Sequence, residues 1–356
     1  MVLLNTILPT IGPLDAAAME QARLRQAQLT KPPGSLGRLE SLAEQLAGIT
    51  GQLNPPLAKK QIVVMAGDHG VTAEGVSAYP AEVTAQMIYN FLRGGAAINV
   101  LARQLEATVT VVDMGVAASI AADHPHFLDR KIAPGAQNIA LGPAMTRAQA
   151  ERAVETGIEV VNHLAKTAGL DLLITGEMGI GNTTPAAAIA AVYTGLPPAK
   201  VTGRGTGLDE TGLRRKISVV ERALAINRPD PADPLEVLAK VGGFEIGGLA
   251  GLILGAAARR RPVIVDGFIA TAGALIAVGL APQAKDYLIA GHRSVEAGHP
   301  AMLAYLGLAP LLDLELRLGE GSGAALAAYL VEAAARLLNE MATFAEAGVS
   351  NKAGSD

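Results

Sequence analysis

Glu320 stands in Leu318-Gly319-Glu320-Gly321-Ser322-Gly323-Ala324, one carboxylate among three glycines ahead of a long alanine-rich helical pattern. A surface charge needs no glycine on either side. This spacing instead calls for a backbone that turns tightly, or comes close to something, around a single side chain. Two readings fit: a catalytic acid or base presented by a loop, and the plainer alternative of a turn in which Ser322 caps the helix beginning at Ala324.

Two further glycine-rich turns have the composition of anion sites. Thr175-Gly176-Glu177-Met178-Gly179-Ile180-Gly181-Asn182-Thr183-Thr184-Pro185 follows a strand-like run and opens a helix. Backbone NH groups around Gly179, Gly181, Asn182 and Thr183 can approach a phosphate there, at the positive end of the helix dipole. Glu177 is out of place in a plain phosphate cradle and implies a second ligand group beside it, a hydroxyl or a ring NH. The other turn, Val201-Thr202-Gly203-Arg204-Gly205-Thr206-Gly207, also precedes a helix, and Lys216 follows within that helix. Alone, Lys216 reads as part of a solvated basic face; near two glycine loops it can neutralise a phosphate as a point charge. The glycine order is neither GxGxxG nor a Walker loop, so neither NAD nor a nucleoside triphosphate is indicated.

The six histidines form no recognised metal motif, and cysteine is absent, which excludes disulfides and thiolate chemistry. His124-Pro125-His126 supplies only two ligands in an expected surface loop. Asp68-His69 is either a catalytic pair or a brace between loops, and His292 and His299 read as loop contacts. No metal and no cofactor are expected.

The elements that must position these groups alternate. Gln61 to Gly70, Ala107 to Gly115, Leu170 to Gly176 and Arg261 to Gly267 are β-branched runs ending in glycine or carboxylate, the pattern of buried parallel strands. Helical patterns cover Asp15 to Gln28, Leu39 to Thr50, Pro80 to Leu101, Arg147 to Ala168, Pro185 to Val192, Asp209 to Asn227, Gly247 to Arg259 and Ala324 to Ala347. Tyr287 to Ala290 is a further apolar run, and Leu312 to Leu318 alternates as an extended segment. Ser350 to Asp356 read as a frayed end. The whole is an α/β fold with a mostly parallel sheet and ligands beyond the carboxyl ends of its strands.

Composition narrows the partners. Of the 356 residues 50% are hydrophobic but only 3% aromatic, and the formal net charge is −4, so there is neither a stacking surface nor a basic face for nucleic acid. Met1 to Pro9 lacks the basic leader of a signal peptide, and Phe268 to Leu280 is too short and glycine-broken to span a bilayer. A cytoplasmic protein without membrane partners is expected.

Taken together, KPPGSLGR at 31–38, GDHGV at 67–71, GEMGIGNTT at 176–184, GRGTG at 203–207 and GEGSGA at 319–324 resemble the nicotinate-nucleotide:dimethylbenzimidazole phosphoribosyltransferase family, from Leu29 to Ser350. The resemblance implies transfer of phosphoribose from nicotinate mononucleotide to 5,6-dimethylbenzimidazole, with Glu320 as general base. It also implies that Glu177, Gly179, Gly205, Lys216 and Ser294 line the nucleotide end, and that Gln86, Met178 and Leu318 surround the benzimidazole. A Rossmann-like domain over 60–310, a small helical domain from 1–59 and 311–356, and a homodimer are further implications. A nucleotide sensor without turnover would explain both glycine loops but not Glu320, and a dehydrogenase has the wrong glycine order.

Overall fold

The computed structural model of the chain describes residues 2–350; Met1 and 351–356, which include most of the tail expected to fray, lie outside them. Six parallel strands form one sheet: β1 (Lys60–Gly67), β2 (Thr108–Gly115), β3 (Phe127–Asp129), β4 (Leu172–Met178), β5 (Val263–Val265) and β6 (Leu288–Ala290). Their spatial order is β3-β2-β1-β4-β5-β6, the doubly wound order whose direction reverses between β1 and β4. Chains leaving those two strands diverge to opposite sides and open a crevice beyond their carboxyl ends. The expected Rossmann-like α/β class is therefore observed.

Both faces of the sheet are covered, which is why β1 reads as an unbroken apolar run. Val63 and Met65 face the helices Arg147–Thr167, Phe244–Ala258 and Phe268–Leu280. Ile62, Val64 and Ala66 face helices drawn from both ends of the chain, Ala16–Gln28, Arg38–Thr50 and Ser322–Glu340. The Arg147–Thr167 and Phe244–Ala258 helices pack backbone to backbone: a Cβ at Gly157 would lie 2.1 Å from the Gly248 carbonyl oxygen.

Two expectations differ from what is observed, and one strand, β3, has no counterpart among the expected elements. The helix expected over Pro80 to Leu101 is two, Val83–Leu92 and Ala97–Leu105, because Gly94, at φ 77, and Gly95 break the run. The His124-Pro125-His126 loop leads into the edge strand β3, whose three residues leave no pattern to read. Leu312 to Leu318 runs beside the segment after β6, with Arg293 N–H donating to the Leu312 carbonyl at 2.7 Å, but Glu315 at φ 56 keeps it from being a strand. Among the described residues no helix is long and apolar enough to cross a membrane.

Candidate active site

A cleft of about 470 Å³ opens beyond the carboxyl ends of β4 and β5, and Glu320 lies in its wall, 5% exposed. The glycines around Glu320 are required by contact. Its own φ is 63, a left-handed conformation that an L residue adopts under constraint. A Cβ at Gly176 would lie 2.3 Å from the Glu320 carbonyl oxygen, and one at Gly319 would lie 2.2 Å from Glu177 Oε1. The end of β4 and the Glu320 turn thus interlock, with Glu320 N–H donating to the Glu177 carbonyl at 3.3 Å.

The Glu320 carboxylate is shared between cleft and scaffold. Oε2 accepts from Ile98 N–H at 3.1 Å, in the first turn of the Ala97–Leu105 helix. Burial raises its proton affinity above that of an ordinary carboxyl, the Ile98 N–H opposes that, and the Asp266 carboxylate adds to the rise. A carboxylate with raised proton affinity in a partly closed site is suited to accept a proton near neutral pH.

Ser322 does not cap the helix. It is the first helical residue, and its hydroxyl donates to the Gly319 carbonyl at 2.8 Å. Gly321, at φ 95, precedes it without a capping side chain. The cap comes from Asp266 at the end of β5, whose Oδ1 accepts from Ala324 N–H at 2.9 Å.

Glu177 is fully enclosed. Burial pushes its carboxyl up to about 8, partly offset by a bond from Asn182 Nδ2 and reinforced by Asp266, Glu245 and Glu320. It is therefore protonated at neutral pH and can donate as well as accept.

Also in the cleft wall, Thr183 opens the Thr183–Thr194 helix, and its hydroxyl accepts from Lys216 Nζ at 2.6 Å. Lys216 is completely buried, and that burial lowers its ammonium to about 8, opposed by Glu296. Arg317 donates to the Gly205 carbonyl at 3.0 Å, tying the Glu320 segment to the second glycine turn. A helix N-terminus, a hydroxyl and a buried cation together have the chemistry to hold a phosphate.

Of the residues expected from sequence, Glu320, Glu177, Met178, Gly179, Asn182, Thr183, Gly205, Ser294 and Leu318 line the cleft. Lys216 sits directly behind Thr183, and Gly203 packs against the lining residue Glu296, where a Cβ would come within 2.1 Å of Oε2. Gly181 packs behind the loop, against Thr72. Gln86 is not brought into the lining: it is exposed on the Val83–Leu92 helix, whose Val83 and Met87 do line the cleft.

Asp266, Glu296, His292 and Arg317 also line the cleft and were not singled out from sequence as site residues. Asp266, before Gly267 at the end of β5, and His292, after Gly291, carried a signal of position beside a glycine; Glu296 and Arg317 carried none. His69 and His299 brace loops. His69 Nε2 pairs with Glu245 Oε1 at 2.7 Å, and Asp68 Oδ2 accepts from Ala117 N–H at 2.8 Å. His299 Nδ1 accepts from Ser294 N–H at 2.9 Å, so Nε2 carries the proton and donates to Thr271 Oγ1 at 2.9 Å. Burial, with His292 nearby, depresses His299 to about 3 and keeps it neutral. No group of three or more metal-ligating side chains is placed to hold an ion among the described residues.

A doubly wound sheet carrying a phosphate-type helix terminus and a poised carboxylate across one cleft defines a nucleotide-handling transferase. A family profile described as phosphoribosyltransferase matches residues 11–349. A nicotinate-nucleotide–dimethylbenzimidazole phosphoribosyltransferase of Roseiflexus sp. (strain RS-1) is 60% identical over 352 residues, covering 99% of each chain. One from Chloroflexus aggregans is likewise 60% identical, with 99% of each chain covered. The crystal structure of the enzyme so named from Thermus thermophilus superposes with a TM-score of 0.89 at 53% identity, over 95% of this chain and 100% of that one. A second, named CobT and from the same organism, gives 0.90 at 54% identity, over 94% and 99%. The chain belongs to the nicotinate-nucleotide–dimethylbenzimidazole phosphoribosyltransferase family.

Proposed function

We propose that the protein transfers phosphoribose from nicotinate mononucleotide to 5,6-dimethylbenzimidazole, giving α-ribazole 5′-phosphate and nicotinate for the lower nucleotide loop of cobalamin. The observation that carries this reading is Glu320, a buried carboxylate held in a strained turn in the wall of the same cleft that Thr183 lines, with Lys216 behind Thr183. In the donor the ring nitrogen is already cationic. The bond from C1′ to that nitrogen breaks with its electron pair returning to the pyridine, so the leaving group needs no acid.

The incoming azole forms the new bond to C1′ through one nitrogen and loses the proton of the other, and Glu320 accepts that proton. Attack opposite the departing pyridine inverts the anomeric carbon, from β donor to α product. Thr183, Lys216 and the turns at Gly179 and Gly205 hold the phosphate, with Ser294 beside them. Met178 and Leu318 flank the azole, and Gln86 lies on the helix next to it. Buried carboxylates around the cleft favour the positive charge that develops on the ribose as the pyridine leaves.

In this reading 60–310 carries the donor loops, while 1–59 and 311–356 form a smaller helical unit that carries the base. A homodimer working in the cytoplasm, with small molecules as its ligands, completes the proposal. Incubating the protein with nicotinate mononucleotide and 5,6-dimethylbenzimidazole should release nicotinate and form the α-linked product in equal amounts. Donor binding without release for any azole in a small panel would overturn the reading.

A further inference from the structure

Asp266 directly follows β5 and is 2% exposed, yet neither the proton transfer nor the phosphate site uses it. Its Oδ1 accepts from Ala324 N–H at 2.9 Å, and the N–H groups of Gly321 and Gly323 also hydrogen-bond to its carboxylate. These are unsatisfied donors of the helix that begins immediately after Glu320, and no side chain of that helix's own N-terminus serves them. One carboxylate from the sheet therefore holds the far side of the turn whose near side locks against Gly176 and Glu177. A left-handed glutamate persists only where the surroundings over-determine it, and Asp266 is one of those determinants.

His292 packs against the same corner. Its Nε2 lies 3.6 Å from Asp266 Oδ1, and a Cβ at Gly323 would fall 2.0 Å from its ring, so the imidazole fills the space beside the helix start. Asp266 also lies in the cleft wall together with Glu320 and Glu177.

We propose that Asp266 is the positioning residue for Glu320: it anchors the Gly319–Gly323 turn through the first N–H groups of the following helix. The proposal rests on Glu320 being the general base. Its physical content is twofold, a hydrogen-bonded anchor and a like charge. Burial is the largest cause of the raised proton affinity of Glu320, the Ile98 N–H opposes it, and the Asp266 carboxylate adds to the rise in the direction a base needs; burial raises the proton affinity of Asp266 itself, opposed by His292 and by the N–H groups of the turn. The other groups facing this corner are Glu177 from β4, itself protonated to about 8, and His292 after β6.

Anchor and charge separate experimentally. Asp266→Asn keeps a carbonyl oxygen for Ala324 N–H but removes the charge, whereas Asp266→Ala removes both. With nicotinate mononucleotide and 5,6-dimethylbenzimidazole, Asp266→Asn should keep turnover within about tenfold of wild type, and the acid limb of its kcat/KM profile should move to lower pH. Asp266→Ala should lose turnover about a hundredfold while its KM for the nucleotide changes little, because the base is displaced and the phosphate site is not. Circular dichroism and thermal melts of both variants establish that they are folded.

An unshifted acid limb in active Asp266→Asn, or equal loss in folded Asn and Ala variants, would overturn the proposal. If Glu320 were not the base, Glu320→Gln would retain both turnover and the same acid limb, an outcome that is distinct from either.

Discussion

At the scale of single residues, the site holds ionisable groups away from their ordinary states and uses each displacement. Lys216 is the clearest case, since burial brings its ammonium down to about 8 while Thr183 fixes its direction. In the proposed reaction its charge, present below that pH and lost above it, attracts the phosphate of the nucleotide. Lys216→Ala should therefore raise the KM for nicotinate mononucleotide by about ten- to hundredfold, through loss of a charge-assisted contact, with a smaller effect on kcat. In the wild-type protein the same KM should climb as pH rises through about 8, read from initial rates. An unchanged nucleotide affinity in Lys216→Ala would return that lysine to a purely structural role. Gly319 is the complementary test of shape. At φ 85, with Glu177 Oε1 only 2.2 Å from where a Cβ would stand, Gly319→Ala should lower kcat by about a hundredfold through displacement of Glu320 in a protein that still folds.

At the scale of elements, the helices from both chain ends matter because they close the sheet face under the Glu320 turn. Leu46 on the Arg38–Thr50 helix is fully buried between them and the strands. Leu46→Ala should lower unfolding stability by about 2–5 kcal/mol, read from the denaturant midpoint, since the cavity can refill only in part. Much of this organisation is legible in sequence. β1, β2 and β4 announce themselves because a strand covered on both faces is apolar throughout, and the glycine turns mark where backbone meets backbone. The edge strand β3 is three residues long and carries no period. Asp266 as the cap of a helix 58 positions away is equally unreadable, because the partner of a buried carboxylate is set by the sheet order and not by its neighbours in the chain. Ser322 illustrates the converse: local spacing made it the natural cap, and a tertiary contact took its place.

At the scale of the whole molecule, the cleft beyond β4 and β5 is walled by loops whose bracing groups are themselves titratable. His299 ties the Ser294 loop to the Phe268–Leu280 helix as a neutral imidazole, depressed to about 3. Its unfolded counterpart takes up a proton near the ordinary histidine value, so the unfolded chain binds more protons between that value and about 3. This contribution to stability is full above about 6.5 and is lost progressively as pH falls toward about 3. Glu177 has the opposite sense, its contribution being lost as pH rises from 4.5 to about 8, so the net curve mixes the two. Comparing melting temperatures of wild type and His299→Gln isolates the first. The amide can accept from Ser294 and donate to Thr271, and the wild type should lose stability relative to the variant as pH drops below about 6.5. Parallel curves would show that His299 does not stay neutral.

The central claim concerns the carboxylate of Glu320, and Glu320→Gln tests it most directly because the amide preserves size while removing the proton acceptor. Transfer of phosphoribose from nicotinate mononucleotide to 5,6-dimethylbenzimidazole should fall by about 10²- to 10⁴-fold, with the nucleotide Kd measured calorimetrically within a few-fold of wild type. Turnover close to wild type in that variant would contradict the assignment of Glu320 as the general base.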